Sequence, residues 1–122
     1  MEQVQFHRRG PRVITEAWPA RYFDEEDPGA GVRDCRIMDI SLLGVGLEVF
    51  GDMSEDVIGH RLEIYVHAPV GYSVSLRFVG RVRYLSEGRL GGTRAGVEFE
   101  GLSDAELDIL KVLALPTAAG EG

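Results

Sequence analysis

"RLEIYVH", residues 61–67, carries the pattern on which the architecture of this chain rests. Leu62, Ile64 and Val66 alternate with Arg61, Glu63, Tyr65 and His67, a period of two that sends the apolar set to one face and the polar set to the other, as a strand with one buried and one wet side requires. The same period returns in "SVSLRFVGRVRYL", residues 73–85, where Val74, Leu76, Phe78, Val82 and Tyr84 share a face and Arg77, Arg81 and Arg83 take the other. On either side of this pair, "RVITEAWPARYF" (12–23), "VRDCRIMDI" (32–40), "VGLEVF" (45–50) and "RAGVEFEGL" (94–102) read as four further strands. They are separated by the turn-rich stretches "DEEDPGAG", "SLLG", "GDMSEDVIGH" and "EGRLGG".

The C-terminal segment changes period. In "SDAELDILKVLAL", Ser103 precedes Glu106 by three residues, the reciprocal capping pattern that satisfies unpaired amides at a helix start. A helix over 104–115 follows, stopped by Pro116. Leu107, Leu110 and Ala114 form its apolar stripe, widened by Ile109, Val112 and Leu113. Six short strands and one closing helix predict an all-β fold, a six-stranded antiparallel β-barrel with a C-terminal α-helix. The expected organisation is an N-terminal arm over 1–12, the barrel and helix over 13–116, and a tail over 117–122.

The chain has 122 residues, 44% of them hydrophobic and 27% charged, which suits one globular domain. No apolar run approaches the roughly 20 residues that cross a bilayer. The start lacks the apolar core of a secretory signal, and Cys35 is the single cysteine; both features predict a cytoplasmic protein. Net charge is −7, which argues against a broad nucleic-acid surface, because binding to a phosphate backbone depends on Lys and Arg displacing counterions. The positive charge is concentrated in the arm, where Arg8, Arg9 and Arg12 face only Glu2.

Arg8 and Arg12 form an Arg-x-x-x-Arg motif with Arg9 between them, and Asp39, Ser41 and Gly44 form Asp-x-Ser-x-x-Gly downstream. In this order, before "GVGLEV" and with "AGVEFEGL" plus a helix at the end, the sequence resembles the PilZ domain family from Arg8 to about Leu115. That resemblance implies a six-stranded barrel that binds the bacterial second messenger cyclic di-GMP, with the ligand clamped between the arginine arm and the aspartate motif. The residue types fit independently of the family. An Arg fork can donate to guanine O6 and N7 or stack on the base. An ionised Asp39 can accept from guanine N1–H and the exocyclic amine. Ser41 and the turn can hold ligand polar groups, and Gly44 permits a positive φ or a close backbone approach. Arg9 is a further phosphate or stacking contact.

The same residues admit plainer readings. Asp39 and Ser41 can form a local side-chain turn, Gly44 a hairpin glycine, and Arg77, Arg81 and Arg83 a solvated stripe. Cys35 reads as a core thiol, Trp18 as core or an aromatic lid. His7, His60 and His67 lack ligand spacing, so no metal and no cofactor are expected. "DEED" lacks the alternation of a calcium loop, and "GVGLEV" lacks the third glycine of a dinucleotide fingerprint. The expectation is a non-enzymatic receptor whose arm orders on ligand and which signals to a separate effector protein, with no nucleic-acid partner and no membrane insertion. The alternative is a protein-interaction adaptor of the same fold that binds no nucleotide and uses its C-terminal helix as the contact surface.

Overall fold

A computed structural model describes residues 12–51, 53–70 and 72–114. Six strands, β1 (Val13–Asp24), β2 (Val32–Ile40), β3 (Gly44–Val49), β4 (Arg61–Val70), β5 (Tyr72–Glu87) and β6 (Thr93–Phe99), are followed by helix α1 (Asp104–Ala114). They close into a barrel in the order β1-β2-β3-β6-β5-β4, every pair antiparallel. Closure removes the free edges that an open sheet would expose. The expected all-β barrel with its terminal helix is the observed fold.

The alternation in "RLEIYVH" does what its period implies. Leu62, Ile64 and Val66 point inward and meet Ile37, Leu47, Phe78, Val82 and Val97 in one buried cluster, each such side chain contributing roughly 1.5–3 kcal/mol by leaving water. Phe78 and Phe99 pack with ring centroids 4.9 Å apart. Trp18 packs against this core, and Cys35 is buried in it, where desolvation pushes its thiol pKa up to about 12; a thiol so protonated is a packing residue and no nucleophile.

α1 packs onto the core through Leu110 and Leu113. The capping box forms as read: Glu106 N donates to Ser103 Oγ at 3.1 Å and Ser103 N to Glu106 Oε1 at 2.9 Å. The buried stripe centres on Leu110 and Leu113, with Ile109 packed alongside, whereas Val112 faces solvent. The stripe is narrower than the run of apolar residues suggests, because a residue two positions from Leu110 lies about 200° around the helix from it. Pro116 and the tail lie outside the described residues.

Two β-bulges switch the outward face of the residues after them. In the β2–β3 pairing Ile37 faces Leu47 and Asp39 faces Gly46, leaving Met38 as the extra residue. In the β5–β6 pairing Val82 faces Val97 and Tyr84 faces Gly96, leaving Arg83 extra. An extra residue shifts the period by one. Asp39 therefore lies outside while Ile40 points into the core, and Tyr84 lies outside while Leu85 packs inward. Simple alternation places Tyr84 on the core face; the bulge at Arg83 overturns that. A third irregularity lies in β1 between Ile14 and Trp18, where Ala17 adopts φ 57°. Thr15 braces it, donating from Oγ1 to Ile37 O and accepting at Oγ1 from Ala17 N at 3.1 Å.

At the far end of β1, His60 Nδ1 lies 2.7 Å from Asp24 Oδ2 and staples the β1 terminus to the start of β4. The bond to Asp24 raises the His60 pKa above its ordinary 6.5. A raised folded-state pKa stabilises fully below the unfolded value and is lost as pH rises through the folded one. Wild type is therefore expected to lose urea resistance relative to His60→Asn, in which this dependence is absent, as pH rises above the ordinary histidine value of about 6.5; parallel pH profiles for the two proteins would show that the staple does not titrate.

Candidate functional site

The turn between β2 and β3 explains half of the Asp-x-Ser-x-x-Gly motif without any ligand. Ser41 N donates to Gly44 O at 2.9 Å, and Ser41 Oγ accepts from Leu43 N and Gly44 N at 3.2 and 3.3 Å. Ser41 is only 2% exposed, so its hydroxyl is committed to the turn, the local reading that its residue type allowed. Gly44 does not have a positive φ. It is needed because a Cβ there would overlap the carbonyl oxygen of Val97 on the neighbouring strand β6. The close approach is thus between two strands of the barrel.

Asp39 is different. It is 8% exposed, and both of its oxygens are taken by guanidinium groups. Arg12 Nη1 pairs with Oδ1, and Arg94 Nη2 with Oδ2 at 2.5 Å. Arg94 Nη1 also donates to the Tyr84 hydroxyl at 2.7 Å, and its guanidinium carbon lies 5.7 Å from the Tyr84 ring centre. Burial works against the Arg94 charge, but the bond to Asp39, its field and the bond to Tyr84 together raise the Arg94 pKa above its ordinary value.

The floor beneath these side chains is glycine. Gly46 and Gly96 face each other across β3 and β6. A Cβ on Gly46 would strike the Arg94 guanidinium and the Asp39 carboxylate, and one on Gly96 the Tyr84 ring. Across the barrel wall, β2 contributes Asp39, β3 and β6 a flat glycine pair with Arg94 alongside, and β5 contributes Tyr84. The result is a shallow surface holding two cations, one carboxylate and one aromatic ring, which is chemistry for a flat polar base and an anion.

Of the six candidate residues, the fold brings together Arg12 and Asp39, and sets Ser41 and Gly44 in the adjoining turn. Arg8 and Arg9, like His7, lie outside the described residues. Arg94 and Tyr84 belong to the cluster but to neither motif. The glycines of "GVG" and "RAG" are the available signal for them, since paired glycines inside strands mark a close approach by something lying across them, but no spacing in the sequence shows that positions 46 and 96 are partners.

The arginine stripe on β5 is neutralised within the barrel. Arg81 Nε lies 2.5 Å and Arg61 Nε 3.1 Å from Glu100, Arg61 also holds Glu25 at 2.7 Å, Arg83 Nε lies 2.7 Å from Glu98, and Arg77 lies 3.6 Å from Glu63. It forms a ladder of surface pairs and offers no anion patch. Among the described residues no group of three His, Cys, Asp or Glu side chains is placed to hold a metal ion, and no helix is long and apolar enough to cross a membrane.

Comparison with known proteins adds a family and a fold. The PilZ domain model matches residues 5–114. None of the curated proteins matches the sequence. Among solved structures, the inhibitor of motility MotI/DgrA of Bacillus subtilis superposes with a TM-score of 0.72 at 12% identity over 92% of this chain and 51% of that one. The PilZ domain of YcgR from Escherichia coli, solved with c-di-GMP, gives 0.69 at 14% identity over 90% of each chain. The PilZ domain of CeSA from a cellulose-synthesising bacterium gives 0.65 at 11% identity over 89% of this chain and 99% of that one. The chain spans about half the length of the Bacillus protein and nearly the whole of the two isolated domains. At these identities the likeness is one of fold.

Proposed function

The chain belongs to the PilZ domain family, and on that basis we propose that it is a non-enzymatic receptor for cyclic di-GMP, bound on the barrel wall around Asp39. The observation that carries this reading is the convergence of Arg12 and Arg94 on Asp39 beside Tyr84, over the Gly46–Gly96 floor.

In the ligand-free arrangement the Arg12–Asp39 pair is a placeholder. Guanine carries an acceptor edge, O6 and N7, and a donor edge, N1–H and the exocyclic amine. One base can therefore satisfy both partners of the pair as it opens: Arg12 turns to the acceptor edge and Asp39 receives the donor edge. Each group exchanges its partner for hydrogen bonds to the base, and Asp39 keeps its pair with Arg94, which limits the penalty of opening a shielded ion pair. Arg94 stays on the second Asp39 oxygen and presents its guanidinium, with the Tyr84 ring, to the face of a base. Arg8 and Arg9 then meet the phosphates, ordering residues 1–11 over the wall and creating the surface that a separate effector protein reads. Net acidity over the rest of the chain repels ordinary nucleic acid.

Calorimetric titration of cyclic di-GMP into wild type and the Arg8→Ala/Arg12→Ala variant, paired with hydrogen exchange over residues 5–11, tests this. Low-micromolar or tighter binding that the variant loses, with new protection of the arm at saturation, is the expected result. Absence of binding by folded wild type overturns the receptor reading. It would favour the adaptor, for which the self-satisfied Arg12–Asp39–Arg94 cluster is the supporting observation, since such a cluster is stable without any ligand.

A further inference from the structure

The loop between β5 and β6 is drawn down onto the barrel wall by a buried carboxylate. Glu48, directly across from Arg94 on the neighbouring strand, is 0% exposed. Its Oε2 accepts from Leu90 N at 2.9 Å and from Gly92 N at 2.8 Å. Gly88 lies against the same carboxylate, so that a Cβ there would overlap it. Burying a carboxylate is costly unless donors compensate it; here two loop amides satisfy Oε2, while Oε1 is buried without a hydrogen-bond partner among the described residues. The loop is consequently fixed in reach and direction.

That direction is toward the site. Arg89, at the tip, extends across the wall and donates from Nη2 to Met38 O at 3.2 Å and to Thr15 O at 3.4 Å. Met38 is the bulge residue immediately before Asp39. Three guanidinium groups from three separate segments, Arg12, Arg94 and Arg89, thus reach the Met38–Asp39 segment. Arg12 and Arg94 share a carboxylate there. Arg89 meets only neutral carbonyls, through long bonds, and its Nε and Nη1 have no acceptor among the described residues.

We propose that Arg89 is a further ligand-binding residue, which leaves the Met38 and Thr15 carbonyls to bind a phosphate group of the dinucleotide placed against Asp39. The driving force is the exchange of two long bonds to neutral carbonyls for a phosphate, where both partners are charged and the guanidinium can bind bidentately. This inference rests on the cyclic di-GMP reading. The test is calorimetry of cyclic di-GMP into wild type, Arg89→Ala and Arg89→Lys at two salt concentrations. Arg89→Ala is expected to bind about tenfold more weakly or worse, with a shallower dependence of affinity on salt, because one fewer cation meets the ligand's phosphates; Arg89→Lys restores the slope and part of the affinity. Should the alanine variant melt early, Arg89→Gln, which can still donate to the carbonyls but lacks the charge, carries the same comparison. If wild type binds and Arg89→Ala binds equally well, this inference is overturned and the receptor reading stands. Weaker binding with an unchanged salt slope also overturns it, since Arg89 would then act only by holding the bulge. If folded wild type does not bind, the receptor reading falls and this inference with it.

Discussion

An Asp39→Ala variant is expected to bind cyclic di-GMP at least a hundredfold more weakly than wild type and to unfold at lower urea. Among the described residues Asp39 is the carboxylate that holds Arg12 and Arg94 together, and in the proposed exchange it also accepts the donor edge of guanine. Hydrogen bonds to a charged group are each worth about 1.5–3 kcal/mol, and a hundredfold in affinity is about 2.7 kcal/mol, so losing the carboxylate removes at least that much. The stability effect, about 1–3 kcal/mol, arises because Arg94, four-fifths buried, is left with Tyr84 as its remaining described partner. Asp39→Asn keeps the shape but cannot neutralise two guanidinium groups, and falls between the two. A double-mutant cycle with Arg94→Met separates the contributions: coupling of about 1 kcal/mol or more in urea unfolding is expected for a contacting pair. Wild-type affinity in Asp39→Ala would remove Asp39 from the site.

The second large effect is on the fold and comes from a motif residue. Gly44→Ala is expected to destabilise the barrel by about 2–3 kcal/mol, the upper part of the range of about 1–3 kcal/mol for forcing extra atoms into a packed position, which lowers Tm by roughly 10 °C in a domain of this size. The added Cβ meets the Val97 carbonyl oxygen, a backbone atom held in the β3–β6 ladder, and it cannot swing aside as a side chain would. The strand pair must part, and with it the Gly46–Gly96 floor two residues on. Thermal melts with and without cyclic di-GMP check this. A variant that melts like wild type yet fails to bind would instead assign Gly44 to ligand clearance.

These two cases divide what is legible in the sequence from what is not. Asp39, Ser41 and Gly44 are marked by their spacing, but the spacing does not say which of them faces a ligand. Ser41 and Gly44 are explained by the turn and by strand packing, and Asp39 by two arginines, one of which the motif does not contain. Arg12 is legible because it lies in the arginine motif. Arg94, Tyr84 and Arg89 are not, because nothing near them in the chain sets them apart among twelve arginines and four tyrosines.

Strands, capped helix and sealed core can all be read along the chain alone. They depend on period-two alternation, on a Ser and a Glu three residues apart, and on apolar side chains leaving water, all of which act between residues close in the chain or without regard to partner. The faces that Asp39 and Tyr84 occupy, and what they touch there, arise only when the barrel closes. Each comes after a bulge, and a bulge is a property of two strands in register, since one extra residue on β2 or β5 is defined only against β3 or β6. Alternation along one strand sends Tyr84 into the core; the pairing with β6 turns it outward, over a glycine, against Arg94, and so completes the site.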